Sequence, residues 1–159
     1  MIILGIDPGS RYCGYGLLQT EKRKIVAAGC DRIKLKANLS LADRLAIIYE
    51  EILKLIEEYK PDVASIETIF FGKNIKSAFT LGHARGVILL PFAQKKIPIA
   101  EYSPREVKQA VVGNGNASKS QVHYMINQIL GNKFDSKPED AIDALAIAIC
   151  HFNKEKFRV

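Results

Sequence analysis

Ile2, Ile3, Leu4 and Ile6 form a nearly unbroken apolar run that Asp7 ends just ahead of a Pro8-Gly9 turn. A run of this kind predicts a strand covered on both faces, which puts the acid at the rim of a sheet. Cys13 to Leu18 and Lys24 to Ile33 read as two further strands, separated by the polar turn Glu21-Lys22-Arg23. Three strands in succession predict an antiparallel meander. Gly14 and Gly16 flank Tyr15, a spacing that suits a strand crowded by a neighbour.

The apolar period then changes from two to between three and four. Leu41, Leu45, Ile48, Ile52, Leu55, Ile56 and Tyr59 predict an amphipathic helix from about Ser40 to Tyr59, with Ser40 and Asp43 resembling a capping box and Pro61 as the stop. A short buried strand follows, Val63 to Ile66, and ends at Glu67. A crossover helix between two strands is what parallel pairing requires, so Asp7 and Glu67 are expected side by side on one rim. Turn chemistry accounts for an Asp before Pro-Gly, but it does not account for Glu67.

Phe70 and Phe71 come next, and two adjacent aromatics cannot both face the core from one regular element. At least one is expected beside the acids, where a ring can stack on an unpaired base. A helix is predicted over Ile75 to Gln94, with Pro91 kinking or ending it. Its small residues Gly82, Ala84 and Gly86 suit close approach, either as a dimer seam or, the preferred reading, against the protein's own sheet. Ile97 to Glu101 reads as a short strand that Pro98 places at an edge. Ser103-Pro104-Arg105-Glu106 opens a short helix with proline at its first position and a capping-box glutamate. Ser118 and Gln121 cap another helix, which runs to Leu130 and stops at Gly131. The turn between these two helices, Gly113-Asn114-Gly115-Asn116, has Lys108 and Lys119 on either side and suits phosphate contact without matching any nucleotide-binding fingerprint. The last helix begins near Pro138, with Leu145, Ile149 and Phe152 on its inner side. Asp140 and Asp143, three residues apart, share one face of it. Glu139 reads as a partner of the helix dipole, whereas Asp143 interrupts an otherwise apolar stretch.

These elements predict an α/β fold with a five-stranded mixed sheet, an antiparallel meander plus parallel strands, flanked by helices. The 159 residues point to a single domain, 1–159, large enough to bury a core. With 23 Lys and Arg against 17 Asp and Glu, the formal charge of +6 favours a polyanionic partner. Cys13, Cys30 and Cys150 are odd in number and lack Cys-x-x-Cys spacing, as expected of buried thiols in a reducing compartment. The longest apolar stretch is far short of a membrane span, so the expected location is cytoplasmic with no membrane partner. His83, His123 and His151 fall in separate helices without metal spacing and read as structural or surface residues with no role in the chemistry.

Four acids from two strand ends and one helix, Asp7, Glu67, Asp140 and Asp143, need neutralising. Clustered carboxylates without His or Cys ligands favour hard cations, Mg2+ or Mn2+, and two such ions suit phosphodiester hydrolysis. Lys119 is then placed to supply positive charge to the reacting phosphate, with Lys73, Lys76, Arg85 and Lys108 holding the nucleic-acid backbone. The opening Gly-Ile-Asp-x-Gly-Ser run also resembles the phosphate loop of actin-like kinases and ATPases, but those close two such domains over a nucleotide and no second run occurs here.

The segments Ile3-Leu-Gly-Ile-Asp7-Pro-Gly-Ser-Arg11, Ile66-Glu67 with Phe70, Lys73-Asn74, Leu81-Gly-His-Ala-Arg-Gly86, Val107-Lys108-Gln109, Lys119-Ser-Gln-Val122 and Asp140-Ala-Ile-Asp143 resemble, in this order and spacing, the RuvC Holliday-junction resolvases. The resemblance runs from Met1 to about His151. It implies a ribonuclease H-like fold and a homodimer that nicks two strands of like polarity in a four-way DNA junction during recombination and repair. It also implies the RuvA and RuvB branch-migration proteins as partners. By motif position it makes Asp7, Glu67, Asp140 and Asp143 the metal-binding acids, Phe70 the base-stacking aromatic, and Lys108 and Lys119 basic residues of the active site.

Overall fold

The computed structural model describes residues 1–68, 75–131 and 133–156, the last without its side chain. Among these residues the chain forms β1 (Ile2–Asp7), β2 (Tyr12–Glu21), β3 (Lys24–Lys34), α1 (Leu41–Tyr59), β4 (Val63–Glu67), α2 (Ile75–Gln94), β5 (Ile99–Tyr102), α3 (Pro104–Val112), α4 (Lys119–Leu130) and α5 (Glu139–Lys156). The strands lie in the order β3-β2-β1-β4-β5. β1, β2 and β3 pair antiparallel, as the meander predicts, while β1 with β4 and β4 with β5 are parallel. β5 is an edge strand, and the carbonyl of Pro98 just before it accepts the Ala64 N–H at 2.9 Å.

Side chains alternate across β1, and that alternation decides where its acid points. Leu4 and Ile6 join Cys13, Ile33, Ala64 and Ile66 in a core with Ile48, Ile52 and Ile56 of α1 and Ala84, Ile88 and Phe92 of α2. Ile3 instead joins Leu18, Val63 and the apolar residues of α3, α4 and α5 on the opposite face. By the same alternation Gly5 and Asp7 face α5, as do Ser65 and Glu67 of β4.

The α5 face is built from small residues. A Cβ added at Gly5 would stand 2.1 Å from the Ala144 carbonyl oxygen, one at Gly14 would stand 1.9 Å from that of Asp140, and one at Gly16 would stand 2.5 Å from the Leu145 nitrogen. Ser65, fully buried, donates its hydroxyl to the Ile147 carbonyl at 2.9 Å. The helix backbone therefore rests directly on the sheet, and α5 is fully or nearly buried from Ala144 to Cys150. The glycines at 14 and 16 are crowded by a neighbour as expected, and that neighbour is a helix.

Local capping holds the helices around α5. Ser103 and Glu106 form a reciprocal capping box on α3, and Ser118 and Gln121 form one on α4. Gly113 and Gly131 end these helices at φ of 80° and 79°, the left-handed region that glycine enters without strain. At α1, Ser40 accepts the Asp43 N–H.

α2 departs from expectation. It runs through Pro91, which is buried, to Gln94. Gly82 and Gly86 face open space with nothing within 4 Å of an added Cβ, so the small-residue face is turned away from the protein's own sheet. Ala84, on the opposite side, is the member of the trio that packs. Ile75, Phe79 and Leu90 are exposed on the same helix, the first two by about 70% and 67%.

Candidate active site

Asp7 and Glu67 end adjacent parallel strands, whose register pairs Ile6 with Ile66 just before them. Three glycines under α5 let the start of that helix descend over this rim, and Asp143 reaches the acids from above. Asp7, Glu67, Asp143, Lys108 and Lys119 line one cavity of about 220 Å3, walled on its apolar side by Val107, Val122 and Ile147. The crossover argument from sequence, which set Asp7 beside Glu67, matches this placement.

The cavity's electrostatics follow from its crowding. Burial, then the neighbouring carboxylates of Asp143, Glu67 and Asp140, raise the Asp7 pKa to about 8, with Lys119 opposing. Burial and Asp143 raise Glu67 as well, against Lys108 and Lys119. A group of acids that hold one another's protons on is short of positive charge.

Lys119 offsets part of this deficit. Its Nζ lies 2.9 Å from Asp143 Oδ2 and 3.1 Å from Glu139 Oε2. Burial lowers the ammonium's pKa, but the two carboxylates outweigh it and hold Lys119 above the ordinary lysine range. Glu139, expected to serve the helix dipole alone, is thus also a tether for Lys119 and is itself held below its usual range by that lysine. The second oxygen of Asp143 is taken by His123, whose Nε2 stands 2.9 Å from Oδ1. His123, expected from sequence to be a structural or surface residue, thus touches a site acid, whereas His151 is buried against the Tyr102 hydroxyl at 2.8 Å and His83 is exposed on α2. A signal was present in the spacing: Lys119 and His123 are four residues apart on α4, and Glu139 and Asp143 are four apart on α5.

Asp140 stands apart from the other three acids. Its Oδ2 pairs with Arg32 of β3 at 3.1 Å, and the guanidinium lies over the Tyr12 ring at 4.1 Å. The expected four-acid cage is therefore three acids round a cavity with the fourth turned to an arginine. It still adds to the repulsion on Asp7. Arg32 is 108 residues from Asp140 in sequence, and nothing in the local pattern around it marks the pair.

Of the basic residues assigned to nucleic acid, Lys108 lines the cavity and Lys76 is exposed in the first turn of α2. Arg85 is largely buried; it pairs with Glu101 at 3.0 Å and donates from Nε to the Glu67 carbonyl at 3.4 Å. That position braces the end of β4 and leaves little of the side chain for a phosphate. Phe70, Phe71 and Lys73 lie outside the described residues.

The donor set fits a divalent metal. It is all oxygen, which hard cations prefer, and Asp7, Glu67 and Asp143 line one cavity. Among the described residues no three His, Cys, Asp or Glu groups converge on a single point, so the acids frame the cavity without closing a cage.

A family model described as crossover junction endodeoxyribonuclease RuvC matches residues 3–151. The crossover junction endodeoxyribonuclease RuvC of Ruminiclostridium cellulolyticum is 47% identical over 156 residues, covering 98% of this chain and 94% of that protein. That of Photorhabdus laumondii is 48% identical over 163 residues, covering 99% and 91%. Among solved structures, T. thermophilus RuvC in complex with a Holliday junction substrate aligns with a TM-score of 0.90 at 30% identity, over 98% of this chain and 95% of that one. The yeast mitochondrial Holliday junction resolvase shares the fold, with a TM-score of 0.70 at 15% identity over 97% and 80%.

Proposed function

From the premise that this chain belongs to the RuvC family of crossover junction endodeoxyribonucleases and resolves four-way DNA junctions in recombination and repair, we propose how its residues divide the work. The fold that carries them is ribonuclease H-like, and residues 1–159 act as one nuclease domain. Asp7, Glu67 and Asp143 would hold divalent metal, Mg2+ with Mn2+ as a substitute and two ions per site, with Asp140, which pairs with Arg32, as the fourth acid. Bound divalent ions supply Lewis-acid stabilisation of the charge that builds on the phosphate as water attacks.

The remaining chemistry belongs to the side chains. Lys119, about half exposed on a flexible stem beside Asp143, is placed to swing onto the phosphate and offset its charge. Lys108 stands beside Glu67 and orients the scissile strand. Lys76 and the net charge of +6 attract the backbone, while Arg85 acts through its grip on β4. Phe70 and Lys73, in the stretch that follows Glu67, serve base stacking and backbone contact. The observation that carries this reading is the convergence of Asp7, Glu67 and Asp143 with two lysines on one cavity.

Paired nicks in a two-fold junction call for a two-fold protein, so the working unit is a homodimer. The exposed Ile75, Phe79 and Leu90 on α2, with the open Gly82 and Gly86 between them, support that helix as the seam. RuvA and RuvB are its partners by family membership. A cytoplasmic location accords with three buried cysteines that are all free. No helix among the described residues is long and apolar enough to cross a membrane.

The test is Mg2+-dependent cleavage of a synthetic four-way junction against linear duplex, for wild type and Asp7→Asn. The variant is expected to bind the junction as wild type does and to cut at least ~100-fold more slowly. Unimpaired cutting by the variant removes Asp7 from the mechanism.

A further inference from the structure

α4 and α5 meet over the cavity through a two-by-two arrangement of side chains. Lys119 and His123, one turn apart on α4, face Glu139 and Asp143, one turn apart on α5. Lys119 joins both acids at 3.1 and 2.9 Å, whereas His123 meets Asp143 alone at 2.9 Å. Each oxygen of Asp143 thus has its own partner on α4, Oδ2 the lysine and Oδ1 the imidazole.

The two partners differ physically. The Lys119 side chain is 54% exposed, on a stem with four rotatable bonds, and is shared between two carboxylates; it exchanges readily. His123 is 19% exposed on a short side chain with two torsions, and its ring nitrogen Nε2 meets Asp143. An ionised carboxylate only accepts, so His123 donates the Nε2 proton, and the contact selects the ring form that carries it.

We infer that His123 is a positioning residue for Asp143: it holds Oδ1 in place so that Oδ2 is the oxygen presented to a cation once Lys119 withdraws. Without it, the carboxylate is free to rotate about its terminal bond and to close both oxygens on Lys119, which then competes with the cation. Hydrogen bonds from behind a ligand commonly change metal affinity by about 10- to 100-fold. The inference rests on the assignment of Asp143 as a metal ligand made above. A purely structural His123 would matter only to the docking of α4 on α5, and that alternative has a different signature.

The test compares wild type with His123→Leu, which keeps an apolar body and loses the donor, and His123→Gln, whose amide N–H can restore it. Mn2+ binding to the protein without DNA is read from the electron paramagnetic resonance of free Mn2+. The Mn2+ dependence of junction cleavage, junction affinity in Ca2+ and thermal melting are measured alongside. His123→Leu is expected to weaken Mn2+ binding by ~10-fold or more and to shift the cleavage midpoint by the same factor. His123→Gln should stay within ~3-fold of wild type, with junction affinity unchanged throughout. The inference is overturned if His123→Leu binds Mn2+ as wild type does, or if His123→Gln loses as much affinity as His123→Leu while melting normally. Should His123→Leu fail to fold, the glutamine variant decides alone: retained Mn2+ affinity supports the inference and lost affinity overturns it. Wild-type protein that neither binds Mn2+ nor cuts the junction would instead overturn the reading of the site.

Discussion

The two faces of the sheet are packed by opposite means. On the α1 and α2 side, branched side chains such as Ile6, Ile48, Ile52, Ile66 and Ile88 interdigitate, and the helices stand off at the distance those side chains set. On the α5 side, Gly5, Gly14 and Gly16 bring a helix backbone into direct contact with the strands. The first face supplies stability and leaves α2 with Ile75, Phe79 and Leu90 exposed on its outer surface. The second supplies position, because Asp143 can join Asp7 and Glu67 only if the start of α5 lies that low. Bulk tolerates adjustment, whereas backbone contact does not.

The sharpest way to break the comparison is one substitution on each side. Gly5→Ala drives a Cβ to 2.1 Å from the Ala144 carbonyl oxygen, so α5 must lift. Overpacking of this kind costs about 1 to 3 kcal/mol, and a shift near 1 Å at the acids is expected to slow cleavage by ~100-fold. Ile48→Ala should cost as much stability or more, about 2 to 5 kcal/mol, yet leave the cleavage rate of the folded fraction within ~2-fold, because the helix that carries Asp143 is seated on the other face. Denaturant melts paired with single-turnover cleavage at a temperature where both variants are folded make the comparison. Equal rate losses would mean that the two faces position the site alike.

Legibility in the sequence divides along a related line. Features set by neighbours in the chain were readable: the meander, the crossover that sets Glu67 beside Asp7, and the capping boxes of Ser103 with Glu106 and Ser118 with Gln121. Local hydrogen bonding decides the caps, and the need of parallel strands for a crossover helix decides the pairing of β1 with β4. Features set by how one helix docks on another were not. The grip of Lys119 and His123 on Asp143 depends on the placement of α4 against α5, and the Arg32 to Asp140 pair joins positions 108 residues apart. Gly82 and Gly86 show the same gap from the other direction. Small residues predict close approach but carry no sign of which surface approaches, and the structure turns them outward.

A second experiment sharpens the account of the α5 face through pH. Asp7 ionises in an unfolded chain near 3.9 but at about 8 in the fold, where burial and then the carboxylate of Asp143 oppose its charge. A carboxyl whose folded pKa lies above its unfolded value binds its proton more tightly in the native state. Its ionisation therefore removes stability as pH rises through that window. In metal-free protein, Asp7→Asn should melt at nearly the wild-type temperature around pH 4 and progressively above it toward pH 8. Added Mg2+ should narrow the gap by stabilising wild type alone. A constant difference across the range would mean that the Asp7 charge is already compensated by the protein.

The smallest expected effect concerns what keeps α3 against α5. Glu106 closes the α3 capping box on Ser103 and also pairs with Lys154 near the end of α5. The hydrogen bond from Lys154, followed by those from Ser103, lowers the Glu106 pKa to about 2. Because the folded value lies below the unfolded one near 4.3, the stabilisation is complete above that value. It is lost as pH falls toward 2. The side chain is 46% exposed, so solvent screening keeps the contribution under ~1 kcal/mol. Glu106→Gln should lower the melting temperature by a few degrees at pH 7, and that deficit should shrink as the pH is taken down to 3. Cleavage should be unchanged, because the glycine contacts that seat α5 on the sheet are intact. A loss of cleavage in this variant would mean that α3, and not the strands beneath, decides where Asp143 stands.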